Sequence, residues 1–188
     1  NEYNLKVIED CAQAHGAKYR GQYVGTIGDI GVFSLNVNKT IQSGEGGVCI
    51  TKDKDLHYRL ALIRNHGEAV VEAAEYDDII NIAGFNYRMT ELQAAVCRVQ
   101  LNKLDGLNVE RLKLVKQLNN GLRVFDFLVV PEERRDCEST YYVYPLKFLS
   151  EIAGIKREMF VEVVKAEGVD FSQGYVKPLY MQPVYQKK

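Results

Sequence analysis

Three polar residues of different chemical type, Asp10, Ser34 and Lys39, lie within thirty residues of one another in the sequence. A lysine amine can bond covalently to a carbonyl carbon, a carboxylate can hold a nearby nitrogen protonated, and a hydroxyl can donate to a phosphate. Glycines recur between residues 16 and 31, and they let the backbone approach a ligand closely. The spacing therefore indicates a single ligand site.

This combination suits pyridoxal 5'-phosphate (PLP). A PLP enzyme needs a lysine that forms a Schiff base, an acid beside the pyridine nitrogen and donors for the phosphate. Lys39, Asp10 and Ser34 are the respective candidates. Taken singly, each has a more ordinary explanation, because most lysines are solvated and strand-end acids and hydroxyls often cap turns. Their positions relative to one another, rather than any one identity, favour the cofactor site.

Short strands are the elements that would position these residues. Three β-favouring runs are predicted as strands: residues 5–8, 30–35 and 48–51. In a parallel α/β sheet, ligands bind outside the carboxyl ends of the strands. Asp10, just after the first run, and Ser34, near the end of the second, are expected at such ends.

Helical patterns follow the strands. A helix is predicted from residue 53 to about residue 65, and Thr90 with Gln93 forms a capping box that starts another. Apolar residues keep a helical period to residue 118, but Gly106 interrupts it at a cost of about 1 kcal/mol. The pattern predicts one long helix or two with a bend. Beyond it, strand-like pieces at 127–130 and 141–146 and a helix at 156–167 are expected, with a domain boundary near residues 105–122.

Three stretches carry a resemblance to a known family: VIEDCAQAHGAKYRGQYVGTIGDIGVFSLNVNKTIQSGEGGVCIT, GFNYRMTELQAAVCRVQLNKLD and GYVKPLYMQPVY. They are similar, in order, to the active-site block, a later motif and the carboxyl-terminal region of the DegT/DnrJ/EryC1/StrS family of PLP-dependent sugar aminotransferases. The resemblance implies an α/β fold of the fold-type-I PLP transferases. Residues 1–105 would be the carboxyl-side half of the PLP-binding large domain, and 106–188 a long connecting helix and an incomplete smaller α/β domain.

The resemblance also implies a role for each matching residue. In the E-D-x-A-Q motif, Asp10 would pair with the pyridinium nitrogen, and Gln13 would contact the cofactor near its ring and phenolic oxygen. Ser34, five residues before the lysine, would bind the phosphate. Lys39 would form the Schiff base and later move a proton between the cofactor carbon and the substrate carbon.

A second motif, G-F-N-Y-R-M, implies a shared site. Asn86 would reach the phosphate of the neighbouring subunit's cofactor, so a homodimer would form the active sites, and Arg88 would contact the substrate. The implied reaction is transamination of a nucleotide-linked keto-sugar with an amino-acid donor such as glutamate, in amino-sugar biosynthesis.

Two alternatives stay open beside this reaction. A related sugar dehydratase would use the same cofactor, but such members replace the Schiff-base lysine, whereas Lys39 is present. A noncatalytic regulatory or scaffolding member would keep the fold alone. Leu35 and Val37 occupy places where the family often has an aromatic residue and a proline. Family members are also much longer chains, so these 188 residues alone are expected to be inactive.

Charge and hydropathy exclude several classes of partner. Lys and Arg number 24 against 25 for Asp and Glu, which leaves no basic excess to attract nucleic acid or an anionic membrane. No apolar run approaches the ~18 residues of a membrane span, and the opening NEYNLKVIED lacks a targeting pattern. A cytoplasmic protein is expected.

Cysteines and histidines point to neither disulfides nor a metal. The four cysteines lie far apart, at positions 11, 49, 97 and 137, and are interpreted as reduced, buried thiols. The three histidines, at positions 15, 57 and 66, lack the close spacing of a metal site. No metal is predicted.

Overall fold

The computed structural model describes residues 2–67, 82–174 and 176–187. The chain divides into two compact units, the first formed by Asn1–Gln117 with Glu132–Tyr144 and the second by Leu118–Pro131 with Pro145–Lys188. The predicted boundary between the large domain and the connecting helix of a complete enzyme, between residues 105 and 106, stays a prediction.

The described residues form short strands and mostly longer helices. The strands are β1 (Ile8–Asp10), β2 (Lys18–Tyr19), β3 (Gln22–Tyr23), β4 (Ile30–Ser34), β5 (Gly47–Ile50), β6 (Leu128–Val129), β7 (Cys137–Glu138) and β8 (Lys147–Phe148). The helices are α1 (Lys54–Arg64), α2 (Glu91–Leu101), α3 (Leu104–Leu122), α4 (Ser150–Ala153), α5 (Arg157–Ala166) and α6 (Pro183–Gln186), with a 3-10 turn at Leu179–Met181.

A mixed sheet in the first unit has the order β1-β4-β5. Strand β1 runs parallel to β4, and β5 runs antiparallel to β4. The three predicted strands are found, but β1 begins at Ile8 rather than at residue 5. The backbone N–H of Val7 donates to the Asp29 carboxylate at 2.8 Å, and Leu5 is exposed, so residues 5–7 precede the ladder.

A hairpin that the sequence pattern does not predict lies between β1 and β4 in the chain. Strands β2 and β3 pair antiparallel through a turn at Arg20 and Gly21, both with positive φ, and β7 adds to the other side of β2. An ion pair between Lys18 of β2 and Glu138 of β7, at 3.0 Å, joins the two strands. Strands of two residues are too short to show the alternation on which a sequence prediction depends.

The helices of the first unit begin at clear caps. Asp53 accepts the amides of Asp55 and Leu56 and caps α1. The predicted capping box at Thr90 and Gln93 is present at the start of α2. Helices α2 and α3 are separate, and the break lies at residues 102–103. Of the two predicted arrangements, two helices are found, but Gly106, the residue that interrupts the sequence pattern, lies inside α3, where an added Cβ would meet open space.

The second unit packs around aromatic rings. Strands β6 and β8 pair antiparallel, and the rings of Phe127, Phe148 and Phe160 contact one another, the last two stacked at 4.6 Å. The strand predicted at residues 141–146 is not formed: Tyr141 has a φ of 47°, which is outside the strand region, and residues 142–143 are a bend. Strand β8 begins only at Lys147.

The cysteines are all free, but only Cys11 is buried. Cys49 is exposed, and Cys97 and Cys137 are partly exposed, so the expectation of buried thiols is correct for one of the four. No helix within residues 2–67, 82–174 and 176–187 is long and apolar enough to cross a membrane.

Candidate active site

Asp10 and Ser34 lie at the same edge of the mixed sheet. Asp10 is the last residue of β1 and is paired with Val32, two residues before the end of the parallel strand β4 at Ser34. The Cys11 amide donates to the Val32 carbonyl at 2.8 Å and holds this register. The Ala12 amide donates to Asp10 Oδ1 at 3.0 Å, which orients the carboxyl group. The sheet thus brings two predicted site residues together.

Glu9, the neighbour of Asp10, fixes the turn beside these strand ends. Its carboxylate accepts the backbone amides of Gly25, Ile27 and Gly28 at 2.7–2.8 Å. Partial burial alone would raise the pKa of Glu9, but these three donors outweigh it and lower the pKa below its ordinary value. Glu9 is therefore an anionic anchor, a role that the sequence pattern does not reveal.

The same turn explains why a glycine, Gly31, lies within strand β4. A Cβ at Gly31 of β4 would lie 2.2 Å from the Gly25 carbonyl oxygen. Gly25 itself has a φ of 86°, which favours glycine. Backbone therefore packs directly on backbone behind the strand end that leads to Ser34.

Lys39 lies on a loop that folds back on itself, residues 35–46, which we call the lysine loop. The Leu35 amide donates to the Gly46 carbonyl and the Ser43 amide to the Leu35 carbonyl, both at 2.9 Å. Leu35 and Ile41 are buried and anchor the loop in the core. Lys39 therefore extends from a structured loop, and its own amide donates to the Asn36 carbonyl at 2.9 Å.

The Lys39 ammonium and the Ser34 hydroxyl have different surroundings. Lys39 Nζ lies 4.9 Å from the centre of the Tyr142 ring, a cation–π contact. Ser34 Oγ accepts the Asn36 amide at 3.3 Å, and a hydroxyl in that position can still donate its hydrogen. Both side chains are only partly buried, so a ligand can reach them.

His15 is buried between these loops, with its ring 5.5 Å from that of Phe33. Burial lowers the pKa of His15, a backbone hydrogen bond at Ser34 opposes this shift, and the positive charge of Lys39 acts in the same direction as burial. The lowered pKa favours the neutral imidazole at neutral pH. Gln13 lies two residues before it, exposed on the turn after β1.

Asn86 and Arg88 occupy a different part of the first unit. Residue Asn86 forms an antiparallel bridge with Asn65 at the end of α1. Arg88 donates to Asn86 Oδ1 at 2.9 Å and to Asn65 Oδ1 at 3.2 Å. Further along, Gln93 donates to the Glu45 carbonyl at 3.1 Å. The start of α2, which directly follows the G-F-N-Y-R-M segment, therefore contacts the lysine loop. Within the segment, Asn86 and Arg88 contact each other.

Two residues of α3 that the sequence pattern does not reveal contact the loops of the site. Asn108 Nδ2 donates to the His15 carbonyl at 3.0 Å, and Arg111 Nη1 lies 3.2 Å from Thr40 Oγ1. In the sequence, these two residues are only a polar pair, three positions apart, in a helix whose apolar residues repeat with a helical period. The structure is needed to show which residues the pair contacts.

The chemistry of the donor set fits PLP. An amine, a carboxylate and a hydroxyl correspond to the aldehyde, the pyridine nitrogen and the phosphate of that molecule. Asp10 and Ser34 share one sheet edge, and Lys39 follows on a loop that starts there. These are the residues that could hold the cofactor.

Known proteins resemble the chain over nearly its whole length. The GDP-perosamine synthase of Escherichia coli O157:H7 is 33% identical over 187 residues, which are 98% of this chain and 48% of that protein. The L-glutamine:2-deoxy-scyllo-inosose aminotransferase of Streptoalloteichus tenebrarius is 34% identical over 193 residues, 98% and 45% of the two chains. This chain thus spans about half the length of the curated relatives it matches.

Solved structures show the same fold. The crystal structure of Streptomyces venezuelae DesV in complex with a ketimine intermediate superposes with a TM-score of 0.84 at 30% identity, and it covers 98% of this chain and 47% of DesV. This likeness confirms the predicted α/β fold of the fold-type-I transferases. The sequence profile of the DegT/DnrJ/EryC1/StrS aminotransferases matches residues 1–188, and the chain therefore belongs to that family.

Proposed function

We propose that the protein containing this chain is a PLP-dependent aminotransferase that converts a keto group on a sugar to an amine. The observation that carries the proposal is the placement of Asp10 and Ser34 at one sheet edge, with Lys39 on the ordered loop that follows. Relatives named as sugar aminotransferases support it. The 188-residue chain by itself is expected to be inactive, because its relatives are about twice as long.

Each residue has a defined task in this proposal. PLP, when bound, supplies an electron sink for the carbon that exchanges its amino group. Asp10 would hold the pyridine nitrogen protonated, Ser34 would donate to the phosphate, and Gln13 would contact the cofactor near its ring and phenolic oxygen. Lys39 would hold the cofactor through its amine, and the same amine, when free, would move the proton at the substrate carbon. Glu9 keeps the adjoining turn in place.

The acceptor in this proposal is a nucleotide-linked keto-sugar, and the donor is an amino acid such as glutamate. The name of GDP-perosamine synthase places its sugar on GDP. A second candidate acceptor is a free keto-cyclitol, because the inosose aminotransferase is equally similar to this chain. The dehydratase alternative is disfavoured because Lys39 is present, and a noncatalytic role is disfavoured because Asp10, Ser34 and Lys39 are all retained.

We propose further that the enzyme is a cytoplasmic homodimer with shared sites. Asn86 would serve the cofactor of the other subunit, and Arg88 would contact substrate from the same exposed segment. The four free cysteines are consistent with a reducing compartment. A net charge near zero gives no reason to expect nucleic acid or membrane as a partner.

Product analysis tests the proposed reaction. The complete enzyme, reconstituted with PLP, is incubated with glutamate or glutamine labelled with ¹⁵N in the α-amino group and a panel of nucleotide-linked keto-sugars and scyllo-inososes. Mass spectrometry should detect ¹⁵N in an amino sugar still attached to its nucleotide, and Lys39→Arg should abolish the transfer. If ¹⁵N is found only in an aminocyclitol, the acceptor is a keto-cyclitol rather than a nucleotide-linked sugar. If the sugar loses a hydroxyl and gains no ¹⁵N, the reaction is dehydration rather than aminotransfer.

A further inference from the structure

Asn108 and Arg111 lie on one face of α3, three residues apart, and their side chains are joined. Arg111 Nη1 lies 3.4 Å from Asn108 Oδ1. Asn108 is buried, and Arg111 is partly buried. A buried asparagine in a helix is unfavourable unless its amide is hydrogen-bonded, so the pair needs partners outside the helix.

Those partners belong to three separate segments of the first unit. Asn108 Nδ2 donates to the His15 carbonyl at 3.0 Å, in the turn that follows Asp10 and Gln13. Arg111 Nη1 lies 3.2 Å from Thr40 Oγ1, the residue after Lys39. It also lies 3.3 Å from the Thr140 carbonyl, two residues before the Tyr142 ring that Lys39 contacts.

The geometry makes this a tight connection. Nη1 carries two hydrogens and faces three acceptors, so at least one N–H is shared between two of them. Asn108 also packs so closely on the turn that a Cβ at Gly16 would lie 2.6 Å from Nδ2. The turn after β1 therefore cannot move away from α3 without losing this contact, and neither can Thr40.

We propose that Asn108 and Arg111 are positioning residues that set the separation between the Asp10–Gln13 turn and Lys39. The inference rests on the proposed function, because the separation matters only if both segments serve one cofactor. Reacting groups must be held near their productive distance, and a displacement of about 1 Å can cost roughly 100-fold in rate. Neither residue needs to touch the cofactor or the substrate.

Conservative variants of the complete PLP-bound enzyme test this role. Thr40→Val keeps the shape of the side chain but removes the acceptor, whereas Thr40→Ser keeps the hydroxyl. Arg111→Met removes the donors and the charge. Lys113→Met is the matched control, because Lys113 pairs with Glu110 at 2.6 Å on the exposed surface of the same helix.

We expect kcat to fall about tenfold or more in Arg111→Met and Thr40→Val, with KM for both substrates changed less than roughly threefold. Thr40→Ser should retain several times the kcat of Thr40→Val. The double variant that combines Arg111→Met with Thr40→Val should have a kcat no lower than that of Arg111→Met alone, because both changes remove the same hydrogen bond. In PLP-free protein, hydrogen exchange should quicken in residues 11–17 and 36–47 for Arg111→Met but not for Lys113→Met.

Equal kcat for Thr40→Val and Thr40→Ser, or unchanged exchange in both segments, would overturn the positioning role. The Thr40 pair decides the matter even if Arg111→Met does not fold. Borohydride trapping in the wild-type enzyme separates this result from the proposed function. A missing Lys39 adduct in the wild type refutes the function, whereas a normal adduct with unaffected variants refutes only the positioning role.

Discussion

At the scale of single residues, neighbouring carboxylates have different tasks. Glu9 is occupied by three backbone amides and anchors a turn, whereas Asp10, the next residue, accepts one amide and remains exposed at the strand end. Because side chains alternate along a strand, Glu9 and Asp10 point to opposite faces of the sheet. One face is used for stability and the other remains available for a ligand.

Asp10→Asn should keep PLP bound but lose most of its turnover. In the proposed site, a neutral amide would no longer hold the pyridine nitrogen protonated. A hydrogen bond to a charged group contributes about 1.5–3 kcal/mol, which corresponds to a loss of roughly 10- to 100-fold. Steady-state kinetics and PLP titration measure the two effects. Asp126→Asn, on the exposed surface of the second unit, is the control. Near-normal turnover in Asp10→Asn would remove Asp10 from the mechanism.

Glu9→Gln should destabilise the fold in a pH-dependent way. The pKa of Glu9 is lower in the folded state than its ordinary value of 4.5, so its contribution is present above that pH and is lost as pH falls through the folded pKa. Chemical denaturation should give a free energy of unfolding about 1–2 kcal/mol lower than wild type at pH 7, with the difference shrinking below about pH 4.5. Glu2→Gln, at an exposed position, should show no such difference. A constant difference across this range would contradict the anchor role.

At the scale of elements, helix α2 begins where the sequence signal is strongest. Thr90 Oγ1 accepts the Gln93 amide at 3.3 Å, and the Thr90 amide donates to Gln93 Oε1 at 3.0 Å. Gln93 also donates to the Glu45 carbonyl, so the cap fixes the helix start against the lysine loop. A local stability feature is in this way coupled to the candidate site.

Thr90→Ala should destabilise the chain by about 1 kcal/mol, because it leaves a helix-terminal amide without its acceptor. Thr90→Ser, which keeps the hydroxyl, should recover most of this loss. The melting temperature and the exchange rate of the α2 amides measure the effect. Equal stability of the alanine and serine variants would show that the cap contributes nothing.

Periodicity and caps predicted β4, β5, α1, α2 and α5 within a few residues, because each has a local pattern long enough to read. The two-residue strands β2 and β7 had no such pattern. The break between α2 and α3 falls at residues 102–103 rather than at Gly106, where helix propensity is lowest. Asn108 contacts His15, which lies 93 positions earlier in the chain, and Arg111 contacts Thr40, 71 positions earlier. A single sequence does not show such distant contacts.

At the scale of the whole molecule, the chain spans about half the length of its relatives. In the function we propose, a second subunit would contribute to each site. Asp10 and Ser34 lie at one end of the sheet and Lys39 on the loop that follows, whereas Asn86 lies on an exposed segment where it accepts a hydrogen bond from Arg88. The proposed shared site assigns Asn86 to the cofactor of the other subunit.

Mixing two defective variants should restore activity if sites are shared. In a heterodimer of Lys39→Ala and Asn86→Ala subunits, one site carries both defects and the other carries none. The complete enzyme, after subunit exchange, should therefore regain up to about half of the wild-type specific activity in a pure heterodimer. The control is the Lys39→Ala enzyme alone, taken through the same subunit-exchange procedure. Heterodimers no more active than their parents would place both residues in the same site of one chain.

Reductive trapping tests the central claim most directly. The complete enzyme is reconstituted with PLP, reduced with borohydride and digested, and the modified lysine is identified by mass spectrometry. If Lys39 forms the proposed Schiff base, a phosphopyridoxyl group will be found on Lys39 and lost in Lys39→Ala, and the lysines nearest to it in the sequence, at positions 18 and 52, will be unmodified. A stoichiometric adduct on any other lysine, or none on Lys39 in protein that binds PLP, would contradict the account.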